Sequence, residues 1–177
     1  NMTVVAPGSV NEARELTRYC AAHEGPMYIR LARRGEPDYG YGVTFGKFSS
    51  IFEGSEVCII ATSNMLERAY ALVENARKNG KDYALMSAHT IKPFDRETVL
   101  NLVDRGTPIV TMESHNIYGG LASATAEVIA CSGKAARFMP IAVPDKFSHV
   151  IGNQQYIEEH MGFADIPQRI ESFLRSA

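Results

Sequence analysis

The run Val57-Cys58-Ile59-Ile60-Ala61-Thr62 constrains the fold more than any other stretch, because it is apolar at every position but the last and shows no polar alternation. A strand of this kind must be covered on both faces, the condition of a parallel sheet with helices above and below it. The next segment has helical period: Met65, Leu66, Ala69, Leu72, Val73 and Ala76 share one face, and Gly80 stops the helix. The unit then repeats. Tyr83 to Ala88 reads as a strand, Asp95 caps a helix carrying Val99, Leu102 and Val103, and Gly106 ends it ahead of a third strand, Pro108 to Met112. Gly120 to Ala130 reads as a helix of small residues and Arg137 to Val143 as a fourth strand. Two helices close the chain, the last started by Asp165 and Pro167. This alternation predicts an α/β fold, a three-layer αβα sandwich on a mostly parallel sheet with right-handed crossovers. Lys47 to Phe52 is a candidate edge strand.

The first forty residues form a separate unit. Thr3 to Ala6 is β-prone, Pro7-Gly8 breaks it, and Ser9-Val10-Asn11-Glu12 has the Ser-x-x-Glu spacing of a reciprocal helix cap. Val10, Ala13, Leu16 and Cys20 keep helical period, and Gly25-Pro26 leads into a second strand, Met27 to Leu31. Two parallel strands alone cannot make a covered sheet, so this partial βαβ unit reads as the end of a larger domain. From Arg33 to Phe48 the composition turns to Gly, Pro, Tyr and Asp, the character of a linker. The expected division is 1–40, a linker at 41–50, and a C-terminal domain at 51–177.

At 177 residues the chain can bury a real core. Its net charge of −2, from 18 basic and 20 acidic residues without a basic bank, argues against a nucleic-acid or anionic membrane partner. No apolar run approaches the ~18 residues of a membrane span. Cys20, Cys58 and Cys131 are odd in number and far apart, which fits a reducing cytoplasm better than a disulfide framework or a zinc site.

Ligands of open α/β sheets collect beyond the carboxyl ends of the strands, so the segment from Glu113 to Gly120 after the third strand is the first place to look. Glu113 and His115 have the chemistry for acid/base work, and Gly119-Gly120 at a helix start can present N–H groups to an anion. The same residues have plainer readings. Glu113 can fix a loop through backbone hydrogen bonds, His115 can belong to an interface, and the glycines can let a helix press on the sheet. Arg30, Arg33 and Arg34 cluster at the end of the second strand, where a guanidinium fork can hold a phosphate or carboxylate. In His89-Thr90-Ile91-Lys92-Pro93-Phe94-Asp95 the Lys92-Pro93 pair reads as a turn and Asp95 as a cap. His23, His149 and His160 have no partner at metal-ligand spacing, and no Walker, Gly-x-Ser-x-Gly or Gly-x-Gly-x-x-Gly pattern occurs.

Three segments in order, Gly25-Pro26-Met27-Tyr28-Ile29-Arg30-Leu31-Ala32-Arg33, Thr90-Ile91-Lys92-Pro93-Phe94-Asp95, and Val110 to His115 continuing through Gly119-Gly120-Leu121, resemble the C-terminal half of the transketolase family. The closest likeness is to the C-terminal subunit of split transketolases, with deoxyxylulose-phosphate synthase and the β subunit of 2-oxoacid dehydrogenase E1 as relatives. The resemblance implies that residues 1–40 end the pyrimidine-binding domain and that the following domain has a five-stranded mixed sheet with one antiparallel strand. It implies thiamine diphosphate and Mg²⁺ in the complete enzyme, bound between a pyrophosphate domain and a pyrimidine domain of different chains. The activating glutamate is expected upstream of Asn1 and the Gly-Asp-Gly metal motif elsewhere, so this chain alone is expected to bind no cofactor or metal and to be inactive. The implied partner is a second copy or a chain carrying the pyrophosphate domain. Arg33, or as second choice Arg30, matches the arginine that holds the substrate phosphate. Arg34-Gly35-Glu36-Pro37 departs from the Gln-Asn-Leu-Pro-like continuation of transketolases. Glu113, His115, Gly119 and Gly120 then become interface or architectural residues. Three alternatives remain open: the C-terminal part of deoxyxylulose-phosphate synthase or of the 2-oxoacid dehydrogenase E1 β subunit, a free-standing module that binds a small anion or regulates, and an acid/base enzyme built on Glu113 and His115.

Overall fold

The computed structural model describes residues 1–32 and 37–176. The main sheet contains β3 (Ser49–Phe52), β4 (Val57–Ala61), β5 (Tyr83–Ser87), β7 (Ile109–Asn116) and β8 (Phe138–Val143), in the order β3-β5-β4-β7-β8. All neighbours run parallel except β3, which pairs antiparallel with β5, with Ser49 opposite Ser87. The expected mixed five-stranded sheet is thus present, with its antiparallel strand at the edge. Every residue of β4 is buried. Because successive side chains of a strand point to opposite faces, Val57, Ile59 and Ala61 enter one core and Cys58 and Ile60 the other. The first core is closed by Met65, Leu66, Ala69 and Val73 of α2 (Met65–Lys78) and by Ile166 and Ile170 of α6 (Ile166–Arg175). The second is closed by Val99, Leu102 and Val103 of α3 (Arg96–Asp104) and by Leu121 and Val128 of α4 (Leu121–Ser132). Two helical layers around one sheet give the expected αβα sandwich. A short α5 (Gln154–Glu158) and a π-helical turn at Glu159–Phe163 lead into α6. No helix among the described residues is long and apolar enough to cross a membrane.

The N-terminal unit comprises β1 (Thr3–Val5), α1 (Val10–Ala22) and β2 (Met27–Ile29), with β1 and β2 parallel and Thr3 opposite Met27. The Ser-x-x-Glu cap forms: Ser9 Oγ accepts from Glu12 N–H at 3.2 Å, and Glu12 Oε2 accepts from Gly8 N–H at 2.7 Å. The unit does not stand apart as two strands. A third strand, β6 (Thr90–Lys92), pairs antiparallel with β1, with Val5 opposite Thr90. The sequence suggests only a turn here, since a three-residue strand whose partner is the distant N-terminal β1 carries no local signal. Residues 37–48 contain no helix or strand.

The N-terminal unit is bonded to the sandwich where β1 ends. Ala6 N–H donates to the His89 carbonyl at 2.9 Å, and the Ala6 carbonyl accepts from Ser63 N–H at 3.1 Å. Gly8 permits this approach, because a Cβ there would lie 2.6 Å from the Ser63 carbonyl oxygen. The carboxyl ends of β1, β4 and β5 are thereby gathered into one region.

Candidate functional site

Strand β7 runs on through Asn116, past the Met112 at which its apolar pattern stops. Glu113 to Asn116 therefore belong to the strand and not to a loop as read from the sequence. These polar side chains give no strand signal, but each finds a polar partner that permits extended backbone. Glu113 is 1% exposed, and its two oxygens accept from Leu121 N–H at 2.8 Å and Ala122 N–H at 2.7 Å. Helix α4 starts at Gly120, which has no side chain to cap it, so its first N–H groups would otherwise go unpaired. Glu113 takes the role of the cap, and its charge faces the positive end of the helix. Burial pushes the Glu113 pKa up, and the two backbone bonds, His115 and Arg30 partly offset this.

His115 is exposed, and its Nδ1 lies 2.8 Å from the Asn116 carbonyl, which can only accept. Gly120 is required by space, since a Cβ would meet Glu113 Oε2 at 2.0 Å and His115 Nδ1 at 3.0 Å. Gly119 has φ of 79°, the left-handed region. The cluster is thus a strand-to-helix joint. Glu113 is buried and each of its oxygens already accepts from α4, so protonating it would weaken the cap, and the geometry disfavours an acid/base pair.

Arg30 comes directly after β2 and reaches across to the same joint. Its Nη2 donates to Ser114 Oγ at 3.1 Å and to the Ser114 carbonyl at 3.2 Å. Ser114 Oγ donates in turn to Asn64 Oδ1, just before α2. Arg33 and Arg34 lie outside the described residues.

A second buried polar group joins α1 to the segment after it. Glu12 is fully buried, and its Oε1 accepts from Tyr41 Oη at 2.9 Å. Burial raises the pKa of Glu12, and burial together with the Glu12 charge raises that of Tyr41. His89 is also fully buried, with Nδ1 3.0 Å from Thr90 Oγ1 and Nε2 without a hydrogen-bond partner, and burial pushes its pKa down to about 4. The cap spacing pointed to Glu12, but Tyr41 as its partner had no signal in the sequence. Asp95 caps α3, accepting from Thr98 N–H at 3.3 Å and Thr98 Oγ1 at 2.7 Å, and also accepts from Phe48 N–H at 2.9 Å.

The family model of the transketolase C-terminal domain matches residues 46–165. The chain belongs to the transketolase family. Its likeness to a transketolase family protein of Sinorhizobium fredii is 36% identity over 153 residues, 83% of this chain and 44% of the relative. The 6-deoxy-6-sulfo-D-fructose transketolase subunit SqwH of a Clostridium species is 36% identical over 169 residues, 91% of this chain and 50% of the relative. Among solved structures, a split-gene transketolase described as an inactive β4 tetramer superposes with a TM-score of 0.82 at 27% identity, covering 98% of this chain and 57% of that one. The chain spans about half the length of these curated relatives. The resemblance read from the three sequence segments is therefore correct, and the joint of Glu113 with α4 lies inside the matched transketolase domain.

Proposed function

We propose that this chain is the C-terminal section of a thiamine-diphosphate-dependent enzyme of transketolase type, which in complete form moves a two-carbon ketol unit between sugar phosphates. In this reading residues 1–40 end the pyrimidine-binding domain, residues 41–50 link, and residues 51–177 form the C-terminal domain. One observation supports it above the rest. The likeness to the split-gene transketolase extends over 98% of the chain, well beyond the matched 46–165, and so takes in the unit of β1, α1 and β2.

Thiamine diphosphate supplies the nucleophile and electron sink of such chemistry when bound. In this reading the Gly-Asp-Gly motif that would hold the metal and diphosphate belongs to the partner chain, since the motif is lacking in this sequence. The work of this chain is then to hold and to orient. Glu113, Gly119 and Gly120 fix α4 on the end of β7, His115 faces outward as an interface residue, and Arg30, with Arg33, offers a cation to a substrate phosphate. Relatives that are named as subunits support a partner chain, to which we assign the pyrophosphate domain, and the odd number and wide spacing of the cysteines favour a cytoplasmic assembly.

The test is reconstitution. This chain, the chain carrying the pyrophosphate domain, thiamine diphosphate and Mg²⁺ are combined with a ketose phosphate donor and an aldose phosphate acceptor. Ketol transfer is expected only when both chains are present. Turnover by this chain alone, or none by the pair, contradicts the proposal.

A further inference from the structure

We propose that Ser114 and Asn64 are positioning residues for the Arg30 guanidinium, so that the C-terminal domain sets the affinity for a substrate phosphate without touching the substrate. This rests on the reading of Arg30 as a phosphate-binding cation. Arg30 itself belongs to the N-terminal unit. Its backbone is fixed there, because Arg30 N–H donates to the Val5 carbonyl at 2.8 Å and lengthens the ladder between β1 and β2. Its side chain, however, is held from the other side of the molecule. Both acceptors of Nη2, Ser114 Oγ at 3.1 Å and the Ser114 carbonyl at 3.2 Å, belong to β7.

The direction of the chain of bonds matters. A hydroxyl has one proton, and Ser114 gives it to Asn64 Oδ1, so towards Arg30 its oxygen can act only as an acceptor. Asn64 is available for this because its side chain makes no capping bond at the start of α2. Ser114 is rigid in turn, since the preceding Glu113 is tied to α4 by two hydrogen bonds.

The groups that hold Arg30 are neutral. No carboxylate bonds to it among the described residues, and the oxygens of Glu113 are already engaged by α4. A serine hydroxyl and a carbonyl orient a guanidinium without neutralising it, whereas a hydrogen-bonded carboxylate would satisfy it as an ion pair; Glu113 acts on Arg30 through its field alone and makes no bond to it. Nε and Nη1 of Arg30 donate to no described residue, so among the described residues three of its five N–H donors are unused. This is the arrangement of a cation held ready for a phosphate, not of one spent on a structural salt bridge.

The experiment uses the complete enzyme, with this chain and its pyrophosphate-domain partner. Initial rates are measured with a phosphorylated ketose donor and with its dephosphorylated counterpart, and inorganic phosphate is used as a competing anion. Ser114→Ala and Asn64→Leu are expected to raise KM for the phosphorylated donor and the inhibition constant for phosphate by about three- to tenfold, with a much smaller change in kcat. KM for the dephosphorylated donor should not follow. Ser114→Thr, which keeps the hydroxyl, should restore most of the loss, and melting curves of each variant check that it folds. If Arg30→Ala raises KM for the phosphorylated donor while Ser114→Ala and Asn64→Leu do not, the positioning role is overturned and the reading of Arg30 stands. If Arg30→Ala itself leaves that KM unchanged, the reading of Arg30 fails and the inference falls with it. Equal losses with both donors would make the contacts merely structural and would also overturn the inference.

Discussion

A Cβ on Gly120 would lie 2.0 Å from Glu113 Oε2, inside the carboxylate that caps helix α4. Glu113 cannot step aside without giving up its bonds to Leu121 and Ala122. Gly120→Ala should therefore destabilise the chain by about 2 to 3 kcal/mol, as overpacking at a buried and engaged group does. Gly119 is a different case, for a Cβ there meets nothing within 4 Å and only its φ of 79° resists substitution. Gly119→Ala should cost about 1 kcal/mol. Urea unfolding of both variants gives the order, and equal losses would show that Glu113 yields.

The buried ionisable groups predict a pH dependence with two opposing parts. Burial lowers the pKa of His89 from its ordinary 6.5 to about 4, so the folded state favours the neutral ring. Its contribution is present above 6.5 and is lost as pH falls towards 4, with a full size of about 3 kcal/mol. Glu12 has the opposite sign. Its pKa is raised above 4.5, so its contribution is present below 4.5 and is lost as pH rises through the folded-state value. His89→Leu should abolish much of the loss of stability between pH 6.5 and 4, whereas Glu12→Gln should make that loss steeper. Unfolding free energies across this range check both signs, and a His89→Leu profile parallel to that of the unsubstituted chain would refute the assignment.

Asp95 serves two segments at once, capping α3 through Thr98 and holding the backbone of Phe48. Asp95→Ala should cost about 1 to 2 kcal/mol through the lost cap. It should also speed hydrogen exchange at the Phe48 amide, which loses its acceptor. Asp95→Asn, which still accepts, should retain most of the protection. Faster exchange confined to α3 would contradict the link to Phe48.

Where burial wrote itself into composition, the fold could be read directly. Val57 to Ala61 announce a strand covered on both faces, and Leu66, Ala69 and Val73 repeat at the period that faces it. The edge strand from Ser49 and the cap of Glu12 on Gly8 were legible for the same local reason. What escaped depends on partners distant in the chain. Thr90 to Lys92 become a strand only because β1 offers an edge, and Glu113 to Asn116 stay extended because β8, α4 and Arg30 satisfy their polar groups. The candidate residues stand out in the sequence by position, but the contact of Arg30 with Ser114 joins two segments that no spacing rule connects.

The central claim is that this chain holds and orients but does not itself carry the cofactor machinery. The most direct measurement is calorimetric titration of the isolated chain with thiamine diphosphate in the presence of Mg²⁺, repeated after addition of the chain bearing the pyrophosphate domain. The account predicts no heat of binding for the isolated chain and saturable binding for the pair. Tight, saturable binding by the isolated chain would contradict it.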